Sequence, residues 1–469
     1  MRALRTFIIM SVAAVTAICV SATGLLAETL DSALAKAYQG NPQLNAQRAL
    51  VRATDENVPQ ALSGYRPKVA VTAAIGEERQ FITEQSPLPN GKFVTSLKAA
   101  QTFATYNYGV TGSQILFDGL QTANKTRTAE SQVMAAREGL RVLEQNVLLS
   151  AATIYMDVLR DSGNVQIQQS NVTALRQVLE QTNKRFSRGD VTVTDVSQAK
   201  TQLAAAELAL LGAQYNLDTS RARYESIIGI APRDLKPGTP VDRFTPKSLA
   251  VAYQVGAAQN PNITASMYGI DIAYLQVKVD EGVLFPTLSV QASVQQAQNP
   301  AILVLNQFTA FATAQLTVPI YQGGGEYALI RQSKESLGQQ RLNLDLVRLQ
   351  VRANVAQTWA AVEAARGQLR KATEEVAAAE TAVSGILKEI LVGERTTLDL
   401  LITQQNLVNA RTALITAQHD RVVSSYGLLA AVGRLSPEVL VLPTQIYDPQ
   451  VHYQQIRDTW GGLRAPSGN

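Results

Sequence analysis

The stretch VPIYQGGGEYALI, Val318 to Ile330, joins two different kinds of structure. Its first residues, through Tyr321, are typical of the end of a β-strand, and three consecutive glycines follow them. No proline then occurs before Pro437, and residues that favour helices dominate the stretch between. The sequence therefore predicts a strand that passes through glycine into a very long helix.

The N-terminal residues have the composition of a secretory signal. Arg2 and Arg5 precede an uncharged apolar stretch, and small residues lead up to a predicted cleavage site after Ala27. The alternative is an uncleaved membrane anchor, which the short apolar stretch disfavours. Cys19 falls within this signal, so the mature chain is expected to contain no cysteine and no disulfide.

Composition and charge disfavour several classes of function. The formal net charge of +4 falls by two once the signal arginines are removed, so we expect no nucleic-acid partner. His419 and His452 stand alone in the sequence and match no metal-ligand spacing. Catalytic triads, paired carboxylates and phosphate-binding glycine loops are not recognisable, so the sequence predicts no catalytic residue, no metal and no cofactor. No segment after the signal is apolar for long enough to form a spanning helix.

Two copies of one plan follow each other in the chain. Motifs of the first copy recur in the second copy at a fixed offset. The offset is 219 residues for motifs up to the first strand and 204 residues for motifs from the second strand onward. The difference falls in one loop that we expect around TEQSPLPNGKF, Thr83 to Phe93. Such a register predicts a duplicated structure. The clearest matches are GNPQLNA (Gly40 to Ala46) with QNPNITA (Gln259 to Ala265), YRPKVAV (Tyr65 to Val71) with LFPTLSV (Leu284 to Val290), and LFDG (Leu116 to Gly119) with IYQG (Ile320 to Gly323).

This duplication and the positions of the prolines predict the organisation of the chain. Each repeat is expected to hold a helix, a β-hairpin and a pair of long helices. The parts are a signal peptide (1–27), a first structural repeat (28–230), a proline-rich linker (231–250), a second structural repeat (251–436) and a C-terminal tail (437–469).

The long helices are predicted from two stretches without proline, Asn90 to Ala231 and Ile320 to Ser436. Each stretch contains one break, where Gly189 or Gly393 suits a helix C-cap. The helix before each break would have about 65 residues and a length of roughly 100 Å. Because no globular core is that deep, these helices are expected to pack side by side.

The helices that follow the breaks carry a heptad pattern. Large residues seven apart alternate with small ones, which favours close antiparallel pairing, and Arg421 is the one exception. The large positions are Val196, Leu203, Leu210, Leu217, Tyr224, Leu400, Leu407, Leu414 and Leu428, and the small ones are Ala206, Ala213, Ser220, Ala410, Ala417 and Ser424.

The segments before the long helices alternate between apolar and polar residues, which predicts strands with one apolar face. We expect partner strands at Tyr106 to Phe117 and Phe308 to Tyr321, with Thr313 and Gln315 on the polar, lumen-facing side. A soluble half-buried hairpin shows the same alternation, but an exported chain with such long helices favours a membrane barrel. The predicted lipid-facing residues are Val69, Val71, Ile75, Leu288, Val290 and Val294.

Two hairpins supply only four strands, whereas the smallest closed membrane barrels have about eight. Several chains must therefore share one barrel. The predicted fold is an α+β membrane protein: four strands per chain in a shared barrel, continuous with an antiparallel α-helical coiled coil. Gly119, Pro319, Gly323 and Gly324 are predicted to let each strand bend and hand over to a helix.

These features resemble the TolC-type outer-membrane efflux and secretion channels. The resemblance implies a homotrimer with a 12-stranded barrel in outer-membrane lipid and a periplasmic helical tunnel, girdled by an equatorial region. It also implies a periplasmic adaptor and an inner-membrane pump or ATP-driven exporter, for drug efflux or type I secretion. The motifs that carry it are ETLDSALAKAYQGNPQL (Glu28 to Leu44), SQILFDG, VPIYQGG, and the helix tips RGDVTVTDV and VGERTTLDL.

The resemblance assigns the periplasmic gate to the helix tips. Asp195, Arg395 and Asp399 match positions where charged links close the tunnel and acidic side chains ring it. Ile402 and Ile390 depart from the family pattern, where a second acidic residue and a tyrosine can stand. The alternative is that both aspartates only stabilise the first turns of their helices.

Two other classes of protein compete with the channel. A periplasmic adaptor also contains a long helical hairpin, but normally a single one with a lipoyl-like β-domain. An exported enzyme would require a catalytic constellation that the sequence does not reveal.

Overall fold

The structure, a computed structural model, describes residues 28–391 and 394–466. The predicted signal peptide and the predicted cap at Gly393 lie outside the described residues. The helices are α1 (Leu30–Gly40), α2 (Pro42–Asp55), α3 (Asn57–Leu62), α4 (Gln121–Ser187), α5 (Val193–Ile228), α6 (Leu249–Gln259), α7 (Pro261–Gly282), α8 (Gly325–Leu391), α9 (Thr397–Ala431), α10 (Pro437–Leu440) and α11 (Gln450–Ile456). The strands are β1 (Lys68–Pro87), β2 (Phe93–Phe117), β3 (Thr287–Ala301) and β4 (Val304–Thr317).

The chain divides into two compact units. The first, which we call the helical unit, contains the residues up to Ala46 together with Arg141–Asn260 and Val351–Tyr447. The second, the sheet unit, contains Gln47–Leu140, Pro261–Gln350 and the residues from Asp448. Each unit takes segments from both predicted repeats.

The predicted long helices are confirmed, since α4 and α8 each span 67 residues. The predicted C-cap at Gly189 is also confirmed. This glycine has a φ of +81°, and the N–H of Asp190 donates to the carbonyl of Arg185 at 2.9 Å. That bond is typical of a helix that ends in a left-handed glycine. At the other tip, the N–H of Glu394 donates to the carbonyl of Glu389 at 3.0 Å.

The four strands form one antiparallel sheet in the order β1-β2-β3-β4, within the sheet unit. The loop predicted at Thr83 to Phe93 is wrong for most of its length, because β1 continues to Pro87 and β2 begins at Phe93. The second strand accordingly begins at Phe93 rather than at the predicted Tyr106. The change of repeat offset suggested a loop, but the strands of the first hairpin are longer, and β1 lies at the edge of the sheet, where a strand tolerates the missing N–H of Pro87.

The predicted end of the last strand is also wrong, because β4 stops at Thr317 rather than at Tyr321. Its beginning likewise lies at Val304 and not at the predicted Phe308. Thr317 is paired with Thr287, so the residue that would lie opposite Val318 is Pro286. Proline has no N–H to donate, and the in-chain ladder ends there.

The duplication holds at the level of strand register. Every pair from Lys68↔Ser113 to Arg79↔Thr102 in the first hairpin returns in the second hairpin, from Thr287↔Thr317 to Gln298↔Asn306. First-strand residues are shifted by 219 positions and second-strand residues by 204, as the sequence motifs are. The two hairpins therefore have one geometry.

The same two offsets relate hydrogen bonds in the helical unit. The Asn41 side chain donates to the carbonyl of Ile227 at 3.3 Å, and the Asn260 side chain donates to the carbonyl of Ala431 at 2.9 Å. Each asparagine precedes the proline that begins a helix, and each accepting carbonyl lies near the C-terminus of a long helix. These side-chain bonds satisfy backbone groups that a helix end leaves unpaired.

The predicted heptad core is confirmed in the helical unit. Most of the large positions are buried, and Tyr224 and Leu428 are at most 1% exposed. Small residues such as Ala206 and Ala410 are buried as well, which allows close approach of the helices. One apolar cluster joins three helices and contains Val172, Leu175, Ala206 and Leu401.

Arg421, the exception in the heptad pattern, has a specific partner. Its side chain is only 10% exposed, and its guanidinium binds the carboxylate of Asp242 in the linker. Arg366 of α8 contacts the same carboxylate at 3.4 Å. The position that corresponds to Arg421 in the first repeat is Leu217, which lies in the core. The arginine therefore replaces a core leucine in order to hold the linker.

We predict that the two partners respond differently to substitution. Asp242→Ala should lower the stability by about 1–3 kcal/mol, because it leaves the buried Arg421 guanidinium beside Arg366 without its carboxylate. The half-exposed position of Asp242 places this cost below that of a fully buried pair. Arg421→Leu should be tolerated and should rescue Asp242→Ala, because leucine fits the equivalent seam position.

The measurement is the midpoint of thermal unfolding in detergent for both single variants and the double variant. Asp218→Ala is the control, because the ion pair between Asp218 and Arg221 is exposed. A double variant that is less stable than Asp242→Ala would contradict this account of Arg421.

Candidate functional site: sheet faces, junctions and helix tips

The register of the sheet decides which side chains share a face. Val71, Val110, Val294 and Ala310 lie opposite one another in a row across the four strands. The same register places all six predicted lipid-facing residues together, on what we call the apolar face. Thr313 and Gln315 lie on the other, polar face, so the predicted grouping into two faces is confirmed. Which face meets lipid stays a prediction.

The apolar face is strongly exposed along β1 and partly exposed at Leu288 and Val290 of β3. Val69, Val71 and Ile75 are 71%, 79% and 74% exposed. An apolar surface of this kind marks a membrane or protein contact. Charged residues follow directly on the same face of β1, at Glu77 and Arg79, before the exposed Phe81.

The first strand-to-helix junction requires glycine for two reasons. Gly119 has a φ of +67°, which side chains disfavour. A Cβ on Gly119 would also lie 2.3 Å from the carbonyl oxygen of Gly282, at the end of α7. A Cβ on Gly282 would lie 2.6 Å from the Gln121 side chain. The two glycines therefore allow the junction and the end of α7 to pack closely against each other.

The second junction contains Pro319, Gly323 and Gly324 between β4 and α8. Both glycines have positive φ values, +81° and +86°. Unlike at Gly119, a Cβ added to either glycine would meet no atom within 4 Å, and the same holds for Gly325. The four predicted transition residues thus lie between a strand and a helix, but only Gly119 is enclosed by its own chain.

The acidic tip residues cap their own helices. The backbone N–H of Thr192 donates to the carboxylate of Asp195 at 2.8 Å, and the N–H of Thr396 donates to that of Asp399 at 3.0 Å. The threonine hydroxyls accept from the aspartate N–H groups in return, so each tip is a capping box. The threonine N–H, and then its hydroxyl, lower the pKa of each aspartate below its usual value.

Arg395 forms its ion pair with Glu389 at 3.2 Å, and both side chains are exposed. Within residues 28–391 and 394–466, neither Asp195 nor Asp399 has Arg395 as a hydrogen-bond or ion-pair partner. Glu389, Thr192 and Thr396 were not among the residues predicted from the sequence. The threonines were detectable, since TVTD and TTLD have the spacing of a capping box.

The two histidines lie in structural networks. His419 contacts Asp157 at 3.0 Å and Asp420 at 2.9 Å, and His452 contacts the buried Asp55 at 3.1 Å. Burial opposes the charged form of His419, but the hydrogen bonds to both aspartates outweigh it and raise its pKa. Among the described residues, no cluster of three or more potential metal ligands occurs, and none of the helices has the length and apolar composition that a membrane span requires.

We predict that alanine at the two junctions has unequal effects. Gly119→Ala should prevent a native junction, because the new methyl group collides with the Gly282 carbonyl and the backbone stays in a strained region. Gly323→Ala introduces only the backbone strain within the chain. The thermal stability of the dissociated single chain in detergent measures the difference, because it excludes contacts between copies, and equal stabilities would contradict the packing at Gly119.

Comparison with known proteins supports the resemblance noted in the sequence. The family model "Outer membrane efflux protein" matches residues 33–230 and 252–434. The chain is 39% identical to the outer membrane efflux protein BepC of Brucella suis over 444 residues, or 94% of this chain and 93% of that protein. It is 25% identical to the outer membrane protein TolC of Vibrio cholerae over 424 residues, covering 88% and 92% of the two chains.

The fold is also that of solved channel structures. The outer membrane channel CmeC of Campylobacter jejuni matches with a TM-score of 0.77 and 15% identity, covering 92% of this chain and 89% of that one. The family match includes both copies of the duplicated plan and the segments that form the junctions and the tips. On this evidence the chain belongs to the outer membrane efflux protein family, and it is a protein of the outer membrane that extends into the periplasm.

Proposed function

We propose that three copies of this chain form one outer-membrane exit channel, through which substrates leave the periplasm. The observation that carries this proposal is the four-stranded sheet with an exposed apolar face and two edges, β1 and β4, that its own strands leave unpaired. Unpaired backbone groups in lipid cost several kcal/mol each, so an isolated chain is not a viable pore. Three chains supply twelve strands, the number that the family resemblance implies.

The channel works as a passive duct and makes or breaks no bond. Energy comes from an inner-membrane pump or ATP-driven exporter, joined to the channel through a periplasmic adaptor. The names of the relatives support efflux as the activity, since BepC is an outer membrane efflux protein. We expect no catalytic residue, cofactor or nucleic-acid partner. A periplasmic adaptor is the alternative function, and the family match disfavours it.

We further propose that cleavage after Ala27 yields the mature chain, which contains one repeat at 28–230 and a second at 251–436. The linker and the tail are proposed to form the equatorial region. Contacts of the linker support this placement. The Lys236 N–H donates to the carbonyl of Glu28 at 3.0 Å, and the buried Tyr155 hydroxyl donates to the carbonyls of both residues. The linker is thus fixed against the start of the mature chain and α4.

The proposed function is tested by the assembly and conductance of protein extracted from the outer membrane. Unheated extracts should run as a heat-sensitive trimer, and planar bilayers with that trimer should show discrete channels. Purified monomer should show none. Crosslinking in whole cells should capture an adaptor and an inner-membrane component. A monomer that forms the same channels would overturn the shared barrel.

A lysine scan of the two faces tests their orientation. Val290→Lys should impair assembly by about 2–4 kcal/mol near the bilayer midplane, because the apolar face is proposed to meet lipid. Gln315→Lys should assemble normally and change ion selectivity, because it faces the aqueous lumen. Trimer yield and reversal potential are the two readouts. Equal damage from both substitutions would rule out the assignment.

We propose that Asp195, Arg395 and Asp399 also restrict the periplasmic entrance. Arg395 is exposed and both aspartates are partly exposed at the helix tips, which supports a role between copies in addition to capping. The caps depend on pH in a defined direction. Because the pKa values are lowered in the folded state, the stabilisation is present above about pH 4 and is lost as the pH falls through the folded values.

A matched pair of variants separates gating from capping. Combined Asp195→Ala and Arg395→Ala should raise the resting single-channel conductance if the tips restrict the entrance. Thr192→Ala removes one cap hydroxyl, typically worth about 0.5–2 kcal/mol, but keeps both charges, so it should leave conductance unchanged. An unchanged conductance in the double variant, or an equal rise in Thr192→Ala, would leave only the capping role.

A further inference from the structure

The chain contains an internal template for its contact with the next copy. Within the sheet, β2 and β3 join the second strand of the first repeat to the first strand of the second repeat. In a ring of identical chains, β4 of one copy and β1 of the next copy are the corresponding strands. They are also the two edges of the sheet.

We propose that β4 pairs with β1 of the next copy in the register of the chain's own β2–β3 pairing, and that the glycine triplet, Gly323 to Gly325, accommodates Ser63 of that next copy. This inference rests on the proposed function, because it requires a closed ring of copies. It goes further by specifying which residues face each other.

The two repeat offsets convert each in-chain pair into a pair between copies. Val110 lies opposite Val294, and the corresponding residues are Ala314 and Ile75 of the next copy. Gln114 lies opposite Val290, which gives Val318 and Val71 of the next copy. All of these new pairs keep apolar face against apolar face. A shift by one residue would instead set the apolar face of one chain against the polar face of the next.

The new register also accounts for the residues beyond the end of β4. Phe117 lies opposite Leu288, so Tyr321 corresponds to a position opposite Val69 of the next copy. Tyr321 and Val69 are 78% and 71% exposed in the single chain. Within the chain, the residue opposite Val318 is Pro286, which has no N–H. On its other side, Val318 would lie opposite Val71 of the next copy, whose backbone can both donate and accept a hydrogen bond. The strand can therefore continue through Val318 once the copies assemble.

At each junction, one of two facing residues is a glycine and the other has a side chain, and the two repeats place the glycine on opposite sides. In the enclosed first junction, Gly282 has no side chain and faces the long side chain of Gln121. Ser63 corresponds to Gly282, and Gly325 corresponds to Gln121. In this second pair, the glycine therefore lies on the long helix and the side chain on the residue that faces it. Ser63 and Gly325 are exposed in the single chain, whereas Gly282 is buried. Because a side chain on one partner matches a glycine on the other in both cases, Gly325 leaves the space that Ser63 of the next copy fills.

Disulfide crosslinking tests the register, since cysteine is absent from the sequence after Cys19. Ala314→Cys with Ile75→Cys should give disulfide-linked dimers and trimers on denaturing gels, and reductant should remove them. Ala314→Cys with Ala73→Cys or Glu77→Cys should not link, because diagonal neighbours lie about 7–8 Å apart, beyond the reach of a disulfide. Val110→Cys with Val294→Cys is the matched control, which should oxidise within one chain and link no copies.

Equal or stronger linkage of the shifted pairs, or no linkage at Ala314 and Ile75 while the control oxidises, would overturn the register. The unheated trimer of the parent protein distinguishes the two proposals. If the parent is a trimer and only the register fails, the exit channel stands without this inference. If the parent is a monomer, the proposed function fails first.

A rescue experiment tests the junction without relying on disulfides. Gly325→Gln has open space within the chain, and its φ is not in the strained region, so the single chain should tolerate it. In the assembly it should collide with Ser63 of the next copy, and the trimer band should be lost. Adding Ser63→Gly recreates the Gly282 and Gln121 arrangement and should restore the trimer. A trimer in Gly325→Gln alone, or no recovery in the double variant, would overturn the contact.

Discussion

The rest of this structure depends on one constraint, the need to pair every backbone N–H and C=O group that enters lipid. A four-stranded sheet cannot meet that need alone, because β1 and β4 each present a row of unpaired groups. In the proposed channel, closure comes from other copies, and the junctions direct each strand into a helix without breaking the ring. The glycines at 119 and 323 to 325, the exposed apolar face and the duplicated plan are all consequences of that requirement.

Because the chain is duplicated, the same hairpin and the same helix-end contact occur twice in it. The two hairpins share one register, and Asn41 and Asn260 make equivalent bonds with the ends of their long helices. The informative positions are those where the repeats differ. Arg421 replaces the leucine of the first repeat because the linker, which occurs once, supplies Asp242. Here a difference between the repeats marks a contact that occurs once in the chain.

Features with a local cause could be predicted from the sequence. The heptads of α5 and α9, the alternation along the strands and the left-handed cap at Gly189 depend on neighbours a few residues away. Strand ends could not be predicted, because they depend on the residue across the sheet: Pro87 is tolerated at an edge, and Pro286 ends the ladder opposite Val318. The partner of Arg395 was missed for a similar reason. Glu389 lies six residues away, and only the turn between the helices brings it within 3.2 Å.

The central claim is that copies of the chain close the sheet, and amide hydrogen exchange of the membrane-assembled protein tests it most directly. Exchange rates in β1 and β4 are compared with those in β2 and β3, residue by residue, over Lys68 to Arg79 and Val304 to Thr317. Closure predicts slow exchange in all four strands, because the edge amides are then bonded to the next copy. Fast exchange confined to β1 and β4, with β2 and β3 protected, would show that the edges remain open and would contradict the shared barrel.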